Sequence, residues 1–263
     1  MILALSGKMG SGKNTTANII QYIIDSKESG FNLSESNYDD YIKNNHHLKC
    51  SFKQKSFAGK LKQIVVLLTG CTLEDLESQE FKMKELGPEW NTYGIVRGND
   101  NLGRQVAVQA TPHLKHSIWL LASGDNQQVE NILTYRKLLQ VIGTDALRNV
   151  VHENIWVNAL MADYVEKTNH NFRVPREEYV NAIYPNWIIT DMRFPNEMEA
   201  VEKRGGITIR VNRDNGTRAI DLNPHPSETS LDSAKFKYTI DNDSNIEDLI
   251  EKVRTILIKE KII

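Results

Sequence analysis

Met1-Ile2-Leu3-Ala4-Leu5-Ser6-Gly7-Lys8-Met9-Gly10-Ser11-Gly12-Lys13-Asn14-Thr15-Thr16 is the stretch that decides the fold. A short apolar run, Met1 to Leu5, leads straight into Gly7-x-x-x-x-Gly12-Lys13. Ile19, Ile20, Ile23 and Ile24 then recur at helical spacing. Strand, glycine loop, lysine and helix in that order make the phosphate-binding loop of nucleoside triphosphate enzymes. Glycines let backbone N–H groups turn inward around phosphate oxygens with no side chain in the way. The following helix aims its positive N-terminal end at the same phosphates. Lys13 bridges the terminal phosphates as a point charge. The competing reading is a glycine-rich turn that only joins a strand to a helix, and the correct flanking elements argue against it.

One position departs from the motif. The residue after the lysine is ordinarily Ser or Thr, whose hydroxyl holds magnesium, and here it is Asn14, followed by Thr15 and Thr16. An amide oxygen can ligate magnesium or orient magnesium-bound water, less strongly than a carboxylate. The nucleotide reading survives the change, and the identity of the magnesium ligand is left open.

A chain of 263 residues suits one large α/β domain, or one domain with an inserted lid. Apolar residues at 40% and charged residues at 25% are ordinary for a soluble globular protein. The formal charge of −2 supplies no basic field that would call for nucleic acid or an anionic membrane. No apolar run reaches the length of a membrane span. The first strand feeds the glycine loop at once, so it is read as a strand and not as a signal peptide. Cys50 and Cys71 have no metal-ligand spacing, which fits a reduced cytoplasm.

Strand and helix patterns alternate along the chain. After a helix at about 13–25, residues 26–47 are rich in Ser, Asn, Asp and Lys and read as a polar surface insertion in which His46 and His47 are solvated. A strand at about 48–57 leads to a helix from Gly59 to Thr69, and residues 72–86 read as helical. Residues 87–117 read as irregular, with the character of a flap. Helices are expected at about 131–142, 145–151 and 154–168, with Gly143-Thr144 as a break. Residues 169–185 form a polar connection. The apolar strand Trp187-Ile188-Ile189 ends at Thr190-Asp191, and a helix then runs to about Arg204, stopped by Gly205-Gly206. A strand from Ile207 to Val211, a polar loop over 213–235 and a strand from Tyr238 to Asp241 follow. The last helix opens on Ser244-Asn245-Ile246-Glu247, read as a capping box. Ile246, Leu249, Ile250, Val253 and Leu257 line one of its faces. The alternation predicts a parallel sheet with helices on both faces.

Ligands of such a sheet lie beyond the C-terminal strand ends. A carboxylate there, Asp191, is the expected second magnesium anchor, usually through water; the alternative is that it merely caps a helix. Arg193, two residues on, can face the same way, and arginine is the usual phosphate clamp. Its alternative is a salt bridge to Glu197 or Glu199. Arg136, Gln140 and Gly143 share a helix face, with Arg148 on the next helix. Two arginines and an amide would suit a second phosphate group and a base edge, yet spacing alone also fits a solvated charged face. Phe57-Ala58-Gly59-Lys60-Leu61-Lys62 offers a helix N-terminus with lysines, a weak anion signal. His225-Pro226-Ser227-Glu228 reads as a turn.

Together these pieces resemble the deoxynucleoside monophosphate kinases of tailed bacteriophages, a branch of the P-loop nucleoside monophosphate kinases. The matching stretches are GKMGSGKNTTA at 7–17, SFAGKLKQIV at 56–65, RKLLQVIGTDALRNVVHENIWVNAL at 136–160, IITDMRFPNEMEAV at 188–201, HPSE at 225–228 and DNDSNIEDL at 241–249. The resemblance implies a single α/β P-loop kinase domain over 1–263, a three-layer fold with a five-stranded parallel sheet, and lid or acceptor insertions at 26–50, 87–130 and 213–235. It implies ATP and Mg2+ as cofactors and phosphorylation of a deoxynucleoside monophosphate to the diphosphate. Gly7, Gly10, Ser11, Gly12, Lys13, Asn14 and Thr15 would hold ATP, and the Asn242 region would lie near adenine. Asp191 and Asn14 are the expected metal residues. Lys62, Arg136, Gln140 and Arg148 would line the acceptor side, and Lys13, Arg148 and Arg193 would carry catalysis. The family often has aspartate at the position of Asn14. The resemblance is compatible with a homodimer, and implies neither nucleic acid nor membrane as a partner. The setting would be the cytoplasm, that of the host cell if the chain is phage-encoded. A P-loop kinase for another phosphorylated small molecule, such as dephospho-coenzyme A, and a nucleotide-binding regulatory protein are the rival readings.

Overall fold

Ile2–Ser6 is the apolar run ahead of the glycine loop, and all five of its residues are buried. A strand buried on both faces needs cover on both, which a parallel sheet with crossover helices supplies. The computed structural model describes residues 1–30, 33–44, 46, 49–90, 92–93, 95–99, 105–109, 130–131, 133–166, 184–213 and 229–263. Its described residues fall into two compact units, Met1–Lys60 with Asn154–Ile263, and Leu61–Glu153.

The larger unit holds a five-stranded sheet made of β1 (Ile2–Ser6), β2 (Phe52–Lys55), β3 (Asn186–Ile189), β4 (Ile207–Asn212) and β5 (Tyr238–Asp241). Their spatial order is β2-β3-β1-β4-β5, and every pairing is parallel. The chain therefore has the expected α/β fold, with β1 and its glycine loop at the centre of the sheet. Alternation along β1 sorts the faces. Leu3 and Leu5 join Ile188, Ile207, Ile209 and Ile240 in one core. Against that face pack α1 (Lys13–Ser29) and the C-terminal helix Ile246–Lys259, through Ile19, Ile20, Ile23, Leu249, Val253 and Leu257. On the other face lies the helix Pro195–Glu202. A Cβ added at Gly206 would stand 2.5 Å from Val201 Cγ1 and 3.2 Å from Ile2 Cβ, so glycine is what lets the helix exit pass so close to β1.

Several elements differ from the sequence reading. Residues 26–47 are not simply a polar surface insertion, because Glu35–Lys43 forms a helix, α2, capped by Ser34, whose hydroxyl accepts from Asn37 N. Tyr38 and Tyr41 are buried, with ring centroids 5.6 and 5.3 Å from that of Tyr22 on α1. The second strand shortens to Phe52–Lys55. It is fastened to α1 where Gln21 Nε2 donates to Phe52 O at 2.6 Å. The C-terminal helix is capped by Asn245, whose side chain accepts from Asp248 N, and not by a box starting at Ser244.

In the smaller unit, α3 (Gly59–Thr69) has the expected bounds, the division between the units falling within its first turn. The helix expected over 72–86 is two short pieces, Asp75–Glu77 and Gln79–Lys82. Within 87–117, Ile95–Asn99 pairs antiparallel with Gln105–Gln109, and Thr92–Tyr93 pairs with Glu130–Asn131, so those residues are ordered ladders and not irregular chain. The largest correction concerns Gly143. The helix α4, Tyr135–Gln140, does not break there but widens into a π-helix over Val141–Val151, ending with His152 N bonded to Leu147 O. A Cβ on Gly143 would stand 2.6 Å from Leu61 Cδ2. Glycine there gives close packing against Leu61 of α3 and does not stop the helix. The helix expected over 154–168 is α5, Ile155–Met161. The helices Pro195–Glu202 and Ile246–Lys259 are α6 and α7. No helix among the described residues is long and apolar enough to cross a membrane.

Candidate functional site

The glycine loop occupies the C-terminal end of β1, as the motif requires. Its shape depends on two glycines in particular. Gly7 has φ 153°, and a Cβ there would stand 2.3 Å from Val211 O and 2.5 Å from Ser11 Oγ. Gly12 has φ 96°, and its Cβ would stand 2.3 Å from Asn242 Nδ2. Both conformations belong to glycine, and both sites lack room for a side chain. Ser11 N donates to Lys8 O at 3.1 Å, closing the turn. Gly12 is the N-cap of α1 and makes no side-chain cap. The first-turn N–H groups of a helix have no intrahelical acceptor, so they are available to an anion. Ser11 Oγ is buried and unpartnered, one further donor in the loop. These features fit a bound polyphosphate. Lys13 Nζ donates to Gly7 O at 2.6 Å and Lys8 O at 2.8 Å, so its ammonium lies across the loop. Asn14 is exposed, Thr15 is half-buried, and the hydroxyl of buried Thr16 donates back to Gly12 O at 3.0 Å.

Asp191 follows β3. Its Oδ1 accepts from Phe57 N at 2.8 Å, and its Oδ2 accepts from Ser56 Oγ and Ala58 N, each at 2.9 Å. The helix N-terminus read as an anion site thus already holds an anion, the carboxylate of Asp191, which caps α3. The capping carboxylate comes from 133 residues away along the chain, so sequence spacing could not reveal the pair. With one bond at Oδ1, that oxygen retains acceptor capacity for a magnesium-bound water. No cluster of three or more His, Cys, Asp or Glu occurs among the described residues.

Arg193 starts the turn into α6. Glu197, itself buried, accepts from Arg193 N at 2.7 Å and Phe194 N at 3.1 Å, while Glu199 pairs with Lys203 at 2.7 Å. Asn242, directly after β5, is 8% exposed and donates from Nδ2 to Ser11 O at 2.9 Å. The larger unit therefore brings together Gly7, Gly10, Ser11, Gly12, Lys13, Asn14, Thr15 and Asn242.

Sequence reasoning missed an ion pair beside the loop. Arg210, level with Ser6 in the β1–β4 register, donates to Ser6 Oγ at 3.3 Å and pairs with Asp232 at 2.7 Å. Asp232 also lies 3.8 Å from Lys8 Nζ. Only the position of Arg210 in the C-terminal half of a strand could have drawn attention to it.

In the smaller unit, Lys62 pairs with Glu77, and Arg136 donates to Gln79 Oε1 at 2.6 Å. Arg148 is buried and donates to Glu153 O at 3.4 Å, and Gln140 is half-buried on α4. Arg136 and Gln140 lie in the last regular turns before the helix widens. Arg218, His225 and the rest of 214–228 lie outside the described residues, as do much of 87–130 and all of 167–183.

A family model described as deoxynucleotide monophosphate kinase matches residues 116–253. The deoxynucleotide monophosphate kinase of Escherichia phage RB69 is 27% identical over 129 residues, covering 49% of this chain and 47% of that protein. The protein of the same name from Enterobacteria phage T4 is 29% identical over the same coverage of each chain. The match thus spans about half the length of those two relatives. The deoxynucleoside-5'-monophosphate kinase of Escherichia phage T5 is 22% identical over 92% of this chain and 89% of its own.

Proposed function

Because this chain belongs to the deoxynucleotide monophosphate kinase family, we propose that it transfers the γ-phosphoryl group of ATP to a deoxynucleoside monophosphate. The products are ADP and the deoxynucleoside diphosphate. The observation that carries the nucleotide half of this reading is the loop at the end of β1. Two glycines there leave no room for side chains, and the open N-terminus of α1 follows.

An oxygen of the acceptor phosphate attacks the γ-phosphorus in line, and the bond from that phosphorus to the β–γ bridging oxygen breaks, releasing ADP. The protein forms no covalent intermediate. Its task is position and positive charge. The loop N–H groups and Ser11 hold the phosphates, and Lys13 exchanges its two carbonyl partners for phosphate oxygens. Asn14, and Asp191 through water, would hold a magnesium ion, whose charge would offset that of the phosphates. Arg193, beside Asp191 in sequence, is assigned to the transferring phosphate. Lys62, Arg136, Gln140 and Arg148 are assigned to the acceptor on the family resemblance.

A coupled ADP-release assay over the deoxynucleoside monophosphates, with dephospho-coenzyme A in the panel, tests the reading. Turnover with at least one deoxynucleoside monophosphate and none with dephospho-coenzyme A is expected. The reverse pattern would replace the acceptor class, and no acceptor-dependent turnover at all would favour a nucleotide-binding regulator. Arg136→Ala and Arg148→Ala should raise KM for the deoxynucleotide more than KM for ATP. Arg193→Ala should lower kcat more than either KM, the mark of a contact made in the transition state.

A further inference from the structure

We infer that Asn242 is a positioning residue for the phosphate loop, acting on the Ser11–Gly12 peptide rather than reading a base. The inference rests on the phosphate-loop reading above. Asn242 is fixed at both of its own ends. Its backbone N donates to Asn212 O at 2.8 Å, extending the β4–β5 ladder by one bond. Its carboxamide Nδ2 donates to Ser11 O at 2.9 Å in a buried setting. It also rests against Gly12, where a Cβ would come within 2.3 Å of the same nitrogen. The strand end, the carboxamide and the loop are thus in van der Waals and hydrogen-bond contact with no intervening group.

The consequence follows from peptide geometry. The carbonyl of Ser11 and the N–H of Gly12 belong to one planar trans unit, in which they point in opposite directions. Holding the carbonyl on Asn242 therefore directs the Gly12 N–H away from β5. Gly12 is the N-cap of α1, so this N–H adjoins the first-turn donors of the helix. A loop whose donors are pre-aimed loses less freedom when it binds phosphate than one that must find its shape. The donor hydrogen of Nδ2 that faces Ser11 is committed to the loop and is not offered to an adenine edge.

The test compares two probes, ATP and inorganic tripolyphosphate, which shares the phosphate chain and lacks the base. Asn242→Ala should weaken both by the same factor, about tenfold, the loss of one well-placed buried hydrogen bond. KM for ATP should rise with it while KM for the acceptor stays within twofold, a split that general loosening of the fold would not give. Asn242→Asp keeps the volume but cannot donate at neutral pH, so it serves if the alanine variant folds poorly, and it should weaken tripolyphosphate likewise. Loss confined to ATP, with tripolyphosphate binding unchanged, would make Asn242 a base contact and overturn the inference. Unchanged binding of both probes would also overturn it. If wild-type protein binds neither probe, the phosphate-loop reading itself fails, an outcome separate from the other two.

Discussion

Replacing Gly12 by alanine puts the loop geometry to its hardest test. The backbone at Gly12 is left-handed, φ 96°, which costs an L-residue roughly 1–2 kcal/mol. The new Cβ would stand 2.3 Å from Asn242 Nδ2. Non-bonded contact needs roughly 3.5 Å, so the carboxamide must retreat by about 1 Å. That retreat breaks its 2.9 Å bond to Ser11 O and leaves a buried acceptor unsatisfied, at about 1–3 kcal/mol. The two parts together come to roughly 2–5 kcal/mol. For a chain of this size that is a fall in Tm on the order of 10 °C, readable by circular dichroism or scanning fluorimetry. The decisive form is a double-mutant cycle. In an Asn242→Ala background the clash and the bond are already gone, so Gly12→Ala should cost only its backbone part. The two substitutions should therefore couple by at least about 1 kcal/mol. A Gly12→Ala protein melting within about 2 °C of wild type, or strict additivity with Asn242→Ala, would refute the loop geometry.

Three further outcomes are expected. Lys13→Ala should lower kcat at least about 100-fold, equivalent to roughly 3 kcal/mol of barrier, with Tm nearly unchanged, and near-normal turnover would sink its assignment. Asp191→Asn sets a donor amide against either Phe57 N or the Ser56 Oγ and Ala58 N pair, so it should lower Tm by several degrees even without nucleotide. It should also shift the magnesium titration of activity more than ATP binding, and a titration left in place would reduce Asp191 to a cap of α3. The Cys50 thiol, buried beside Asp25, is pushed up to about 12 from 9.0, chiefly by burial. Because the folded value is the higher one, the stability tied to the protonated thiol is complete below about pH 9 and is lost as pH rises toward 12. Native protein at pH 8 should accordingly react with a thiol reagent at Cys71 and not at Cys50, and fast labelling of both would contradict the burial.

What the sequence disclosed was local. The glycine loop, the apolar strands Ile2–Ser6 and Trp187–Ile189, and the helix spacing after Lys13 each carry their signal within a few residues, and the sheet follows from their alternation. The segment Glu35–Lys43 hid a helix because its composition is polar. Its signal was the spacing of Tyr38, Tyr41 and Ile42, two rings of which pack on Tyr22. Gly143 misled because glycine in a helical pattern has two causes, a break or a close approach, and only the position of Leu61 distinguishes them. The site was legible where it is a motif and opaque where it is a meeting of distant segments. Nothing near Asp191 announces Ser56 to Ala58, and nothing near Asn242 announces Ser11, 231 residues earlier. The Arg210–Asp232 pair beside Lys8 escaped for the same reason.

The central claim is transfer of a phosphoryl group from the loop-bound nucleotide to another phosphate. It is tested most directly by following label from [γ-32P]ATP in the presence of magnesium and a deoxynucleoside monophosphate, with products separated. The account predicts label in the β-phosphate of the deoxynucleoside diphosphate, matched mole for mole by ADP, and abolished by Lys13→Ala. Label released as inorganic phosphate at the same rate with and without the deoxynucleotide would contradict it.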